Sequence, residues 1–195
     1  MMMKKPTPSF FENDSGMPAI EFALVMPFLI FMYFGLIDVT GLISFNRKIT
    51  ASAGATADLV AQSRNDILKS VIVDDYNATA MIMAPTPIAD VRVEVWAFRN
   101  VGGTITKTWS TNNGNGPSCG VQPSTATMMP LMVAGNDVIV ARSCMNWTPY
   151  VGGFLGTTIL GATTFLISQT IAVRPRSSLT LTCWQTTKAA GTACT

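Results

Sequence analysis

Few residues in this chain can do chemistry, and their spacing says more than their number. Glu21 stands at the mouth of an apolar run: from Phe22 to Ile37 sixteen consecutive residues carry no charge, and Asp38 ends the run. A carboxylate entering hydrocarbon costs a few kcal/mol unless it is paired or reaches the interface. Two readings account for Glu21. It is an acid at a helix N-terminus, where the macrodipole favours negative charge, or it awaits a cationic partner that appears only after the chain is cut.

The chain contains no histidine, which excludes Ser-His-Asp and Cys-His arrangements and His-ligated zinc or haem. The neighbouring acids Asp74 and Asp75 diverge by about 100° on a helix and make poor acid–base partners. A solvated helix terminus explains them better, and no enzymatic activity is expected. Cys119, Cys144, Cys183 and Cys194 lie far apart without a C-x-x-C pair, so no zinc knuckle or thioredoxin-type motif is written here. Neither a metal nor a cofactor is expected. An even number of cysteines beyond the apolar run suits disulfides formed in an oxidising compartment, with free buried thiols as the alternative. Among the three pairings that four cysteines allow, Cys119–Cys144 with Cys183–Cys194 is preferred, because the second closes the short polar tail "CWQTTKAAGTAC".

The elements that must position these residues begin with a membrane helix. The 195 residues suffice for one ordinary domain plus an anchor. Only 12% are charged, about half the usual share. The net charge of +2 is scattered, with no cationic stripe or stacking platform, so nucleic acid is not an expected partner. Ala19 to Ile37 would span roughly 28 Å as a helix, close to one hydrocarbon thickness. A cleaved signal peptide competes, but its apolar core is shorter and ends in an A-x-A-like site, which "LISFNRK" does not offer. Lys4 and Lys5 flank one end of the run and Arg47 and Lys48 the other, so the positive-inside rule gives no vote. The cysteines argue that the C-terminal part lies outside the cytoplasm. Pro27 and Gly35 interrupt the run, and a proline frees a backbone carbonyl and tends to kink a helix.

No proline occurs between Pro27 and Pro85, and Ile49, Ala53, Ala57, Val60, Ile67 or Leu68, and Val71 recur mostly at three- to four-residue steps. This amphipathic stripe predicts one helix from Met17 to about Val73, on the order of 85 Å long. The expected boundaries are a cytoplasmic leader over 1–16, a transmembrane helix over 17–45, an amphipathic continuation over 46–76 and a β domain over 77–195. Pro85 and Pro87 mark the change from helix to sheet. In "VRVEVWAF" (91–98) Val91, Val93, Val95 and Ala97 share one face. "TITKTW" (104–109) returns after a turn, 136–149 and 165–176 read as further strands, and "SLTLTCW" as a fifth. The long loop "STNNGNGPSCGVQPS" needs a staple or a function, and Cys119 could supply the staple. The fold class is α+β: a long N-terminal helix followed by an antiparallel β-sheet domain.

The stretch "SGMPAIEFALVMPFLIFMYFGLIDVTGLISFNRKITASAGATADLVA", with the later "GNDVIVARSCMNWTPYVGGFLG" and "FLISQTIAVRPR", resembles the TadE-like minor pseudopilins of bacterial tight-adherence (Flp, type IVc) pilus systems. The resemblance rests on Glu21, Phe22, Ala23, Leu24 and Pro27 at the start of the membrane helix, on Asp38 near its end, and on the Ala-rich stretch Ala51–Ala61. More loosely, it extends to Trp147-Thr148-Pro149 and Thr170–Arg176. It implies a pilin-like fold and a structural part in pilus assembly, by helix packing in the membrane or filament. It also implies a cut after Gly16 by a prepilin peptidase. Met17 then becomes the N-terminus and Glu21 the fifth residue, its carboxylate pairing with the free α-amine of a neighbouring subunit. The implied partners are the bacterial inner membrane, the prepilin peptidase, other pilin-like subunits and the pilus assembly platform. The implied location is a single-pass inner-membrane protein with its C-terminal domain in the periplasm, or a subunit of a surface pilus. A competing reading is a membrane-anchored adhesin with no role in filament assembly. Its loop 110–124 would contact a surface, with contact area from Trp96, Trp109 and Trp147.

Overall fold

A computed structural model of the chain describes residues 17–149, 163–176, 179–186 and 194. The expected leader with Gly16, and most of the apolar connection after Pro149, lie outside these residues.

Helix α1 (Met17–Gln62) carries the apolar run and continues through Pro27. It ends eleven residues before the expected terminus near Val73. Ser63-Arg64-Asn65-Asp66 offers no apolar side chain to continue the stripe, and Asn65 adopts a left-handed conformation with φ 47°, which stops helices. Strand β1 (Asp66–Leu68) follows, and then helix α2 (Lys69–Met83) runs back along α1. The Lys48 ammonium donates to the Ala84 carbonyl, at the end of α2, at 2.6 Å. The fifteen residues of α2 rise about 22 Å, matching the roughly 21 Å of α1 between residues 48 and 62. The expected continuation over 46–76 is therefore an antiparallel helix hairpin. Reversal also changes which side chains are covered. Val71, expected on the buried stripe, is exposed, and Ile72, Tyr76, Thr79 and Met83 are buried instead.

Four strands form one antiparallel sheet: β2 (Val91–Val101), β3 (Thr104–Asn112), β4 (Asp137–Trp147) and β5 (Phe165–Val173), in the order β3-β2-β4-β5. The alternation in β2 is realised. Val91, Val93, Val95 and Ala97 are fully buried in one core with Ile49, Ala57 and Val60 of α1, and Ile139, Ala141 and Met145 of β4 join them. The opposite face carries Trp96, Phe98, Val138 and Val140, capped by Met128 from a 3-10 segment, Thr125–Leu131. The sheet is thus covered on both sides. Strands β4 and β5 stop at Trp147 and Val173, short of the expected 149 and 176, because Pro149 and Pro175 have no N–H to donate to the ladder.

The expected fifth strand departs more. β6 (Thr182–Trp184) leaves the main sheet and pairs in parallel with β1. Its course is set just upstream, where the Trp109 indole donates to the Leu181 carbonyl at 2.8 Å and the Asp137 carboxylate accepts from the Leu181 N–H at 2.7 Å. Both favoured disulfides are formed, Cys119–Cys144 and Cys183–Cys194.

Candidate functional site

Helix α1 divides into two surfaces. Over residues 17–34 every side chain is exposed, including Glu21, Phe22 and Pro27. Phe22 and Leu24 stand 60% and 77% exposed, as large apolar side chains rarely do in water. The helix is long and apolar enough to cross a membrane, and none of that apolar window is buried by the head. Gly35 leaves a notch of about 430 Å³ flanked by Met32, Tyr33, Leu36 and Val39. Asp38 is half-buried one turn further on, and Thr40 returns its hydroxyl to the Leu36 and Ile37 carbonyls. Met17, the expected new N-terminus, is the first described residue, four positions before Glu21 on the same helix.

From Ile49 onward the same helix is a structural element of the head. Ile49, Ser52, Ala53, Thr56, Ala57, Val60 and Ala61 are buried against the sheet. Their small size lets the backbones approach, so that Ser52 Oγ and Ser143 Oγ meet at 3.1 Å. Asn46 accepts from Gln169 at 2.8 Å, and Arg176 pairs with Asp58 while its N–H donates to Ala61 at 2.9 Å. The exposed apolar half of α1 is therefore continuous, within one helix, with the half that packs in the head.

The glycine-rich loop is fastened down. Besides Cys119–Cys144, Arg142 donates to Val121 and Gly120 carbonyls at 2.6 and 3.2 Å. The same guanidinium meets Glu94 at 2.8 Å and lies 4.9 Å from the Trp96 ring centroid. Arg92 completes the group at 2.7 Å from Glu94. Gly116 donates to Ala89 at 2.8 Å, and with φ +63° a Cβ there would sit 2.6 Å from the Arg92 nitrogen. Only glycine fits so close a backbone approach. Trp96, Trp109 and Trp147 are all buried, and the little that Trp147 shows lines a cleft to which loop 110–124 does not contribute.

The acids Asp74 and Asp75 lie inside α2 and are not at its end, contrary to the reading of a solvated terminus. The 100° between neighbours separates them: Asp74 is exposed and Asp75 half-buried. Burial, reinforced by the Asp74 charge, pushes the Asp75 carboxyl up to about 6. Burial also raises the neighbouring Tyr76 phenol above its usual range, against a smaller opposing pull from the Thr111 side chain. Asp75 Oδ2 and Tyr76 Oη are buried without a hydrogen-bond partner. Among the described residues no group of three or more Asp, Glu or Cys side chains is placed to hold a metal ion.

The segment carrying Glu21, Pro27, Asp38 and the buried alanines is the part of the chain for which a known family offers a likeness. Residues 16–58 match the model of the TadE-like protein family. This TadE-like segment takes in nearly all of α1, from the exposed apolar half to the stripe that docks the head. It points to a membrane-associated component of tight-adherence pilus systems, with α1 as the candidate membrane anchor. No curated protein and no solved structure matches the chain. Sequence reasoning missed Lys48, Ser143, Asp137 and the Arg142–Glu94 pair. For the last two only a charged residue inside an apolar strand could have served as a signal.

Proposed function

We propose that this protein is a minor pilin-like subunit that takes part in assembling a tight-adherence pilus. Its work is helix packing and not chemical turnover. The observation that carries this is a coincidence of surfaces: the TadE-like segment is also the apolar helix that the head leaves uncovered. An uncovered apolar helix is stable in lipid or against other such helices. In this reading a prepilin peptidase cuts after Gly16 and frees the Met17 amine. That amine is cationic near neutral pH and pairs with Glu21 of an adjacent subunit, a better state for both charges than burial alone. Phe22, Pro27 and Asp38 shape the packing surface, and the disulfide-bonded head lies in the periplasm or on the pilus. The assembly platform and other pilin-like subunits are the partners.

The test is Glu21→Ala in the protein's own host. Piliation should be lost while the head keeps its unfolding midpoint, and N-terminal sequencing of the wild-type protein should begin at Met17. Normal piliation of the variant would remove Glu21 from the mechanism. A wild-type start at Met1 would remove the cut.

A further inference from the structure

The end of the head from which α1 emerges carries an apolar cleft of about 250 Å³, lined chiefly by Phe45, Pro85, Pro87, Met145 and Trp147. Several elements converge there: the close of α2, the close of β4, and the start of β5, where the rings of Trp147 and Phe165 lie 6.3 Å apart. Pro85 and Pro87 are exposed. Beside them, the Lys48 ammonium holds the Ala84 carbonyl at 2.6 Å. An ammonium has three donors, and one is used in this bond. Arg47 and Lys48 follow Phe45 closely on α1, and Asp90 lines an adjoining hollow.

The height of the cleft follows from the helix. The uncharged run Phe22–Ile37 centres between residues 29 and 30. At 1.5 Å per residue Phe45 lies about 23 Å along the axis from that centre. The outer limit of the headgroup layer lies about 20–22 Å from the bilayer midplane, and an ordinary tilt of about 20° brings Phe45 to that same height. Aromatic side chains and cations together suit this layer.

We infer that the base of the head is a lipid-docking surface: phospholipid headgroups of the leaflet that α1 leaves fill the Phe45–Pro85–Trp147 cleft, with a phosphate on Lys48. This inference rests on the reading of α1 as a membrane anchor. It makes the head a body seated on the membrane at a fixed height, because the helix and head are continuous and the cleft is built partly from the helix itself.

The experiment uses the full chain in phosphatidylcholine–phosphatidylglycerol vesicles containing a phosphatidylcholine whose headgroup bears a nitroxide quencher. A fluorophore is attached at Thr86→Cys in the cleft or, as a control, at Val101→Cys, exposed at the far end of β2. The Thr86 fluorophore should lose at least half its emission and the Val101 fluorophore none, and Lys48→Met should reduce the quenching at Thr86. Equal emission at both sites in protein that floats with the vesicles overturns the docking surface and leaves the anchor standing. A Thr86 fluorophore shielded from a soluble quencher but not quenched by lipid also overturns it, showing a protein over the cleft. Protein that does not float with vesicles overturns the anchor and the docking surface together.

Discussion

Asp75→Asn removes a charge that the fold holds at a disadvantage, and its effect has a definite sign. Burial first, and the Asp74 charge second, lift this carboxyl from 3.8 to about 6. Its folded value therefore exceeds its unfolded one, and the folded head binds the proton more readily. The stability this contributes is fully present below pH 4 and is lost as pH rises through 6. A shift of this size corresponds to about 3 kcal/mol if no water intervenes. Asp75 is half exposed, and solvent screening reduces the expected effect to about 1 kcal/mol. Asparagine cannot ionise, so the variant should be more stable than wild type by that amount at pH 7.5 and equal to it at pH 4. Urea unfolding of the full chain in detergent micelles, followed by tryptophan emission, measures it. Trp96, Trp109, Trp147 and Trp184 all lie outside α1, so the signal reports the head. A midpoint rise of about 0.5 M urea is expected at pH 7.5. An equal difference at both pH values, or a weaker variant at pH 7.5, would refute the argument and mean that the ionised Asp75 makes a favourable contact.

Replacing Cys119 and Cys144 together by serine opens a 25-residue separation and should lower head stability by about 3.5 kcal/mol on the chain-entropy estimate, read by the same urea titration under non-reducing conditions. Gly116→Ala drives a Cβ to 2.6 Å from the Arg92 nitrogen in a left-handed conformation, so a loss of about 2 kcal/mol is expected, seen as an earlier thermal transition by circular dichroism. Asp137→Ala strands the Leu181 N–H and the Arg99 guanidinium, which the carboxylate holds at 2.7 and 2.6 Å. It should destabilise by about 3 kcal/mol, and Asp137→Asn, which can still accept from Leu181, by less.

The sequence by itself determined the features that depend on local period and covalent reach. Sixteen uncharged residues after Glu21 mark a candidate membrane helix, and the head leaves residues 17–34 uncovered. Alternation over Val91–Ala97 dictated which face of β2 enters the core, because side chains in a strand alternate with period two. Cys183 and Cys194 lie eleven residues apart, near enough for their pairing to be read from spacing.

Tertiary structure alone decided where elements separated in sequence meet. No proline interrupts residues 63–68, yet the chain turns there, because a reversed α2 buries Tyr76 and Met83 beside α1 while an extended helix would leave them in solvent. β6 lies beside β1 and not in the main sheet, and Trp109 and Asp137, distant in the chain, hold Leu181 just upstream of it. Arg142 meets Glu94 only because β2 and β4 pair in the register that sets them opposite. Asp75 is half-buried because α2 folds back, so its raised pKa is a property of the packing and not of the residue. Periodicity specifies which face of an element is apolar; what covers that face is settled by contacts between distant parts of the chain.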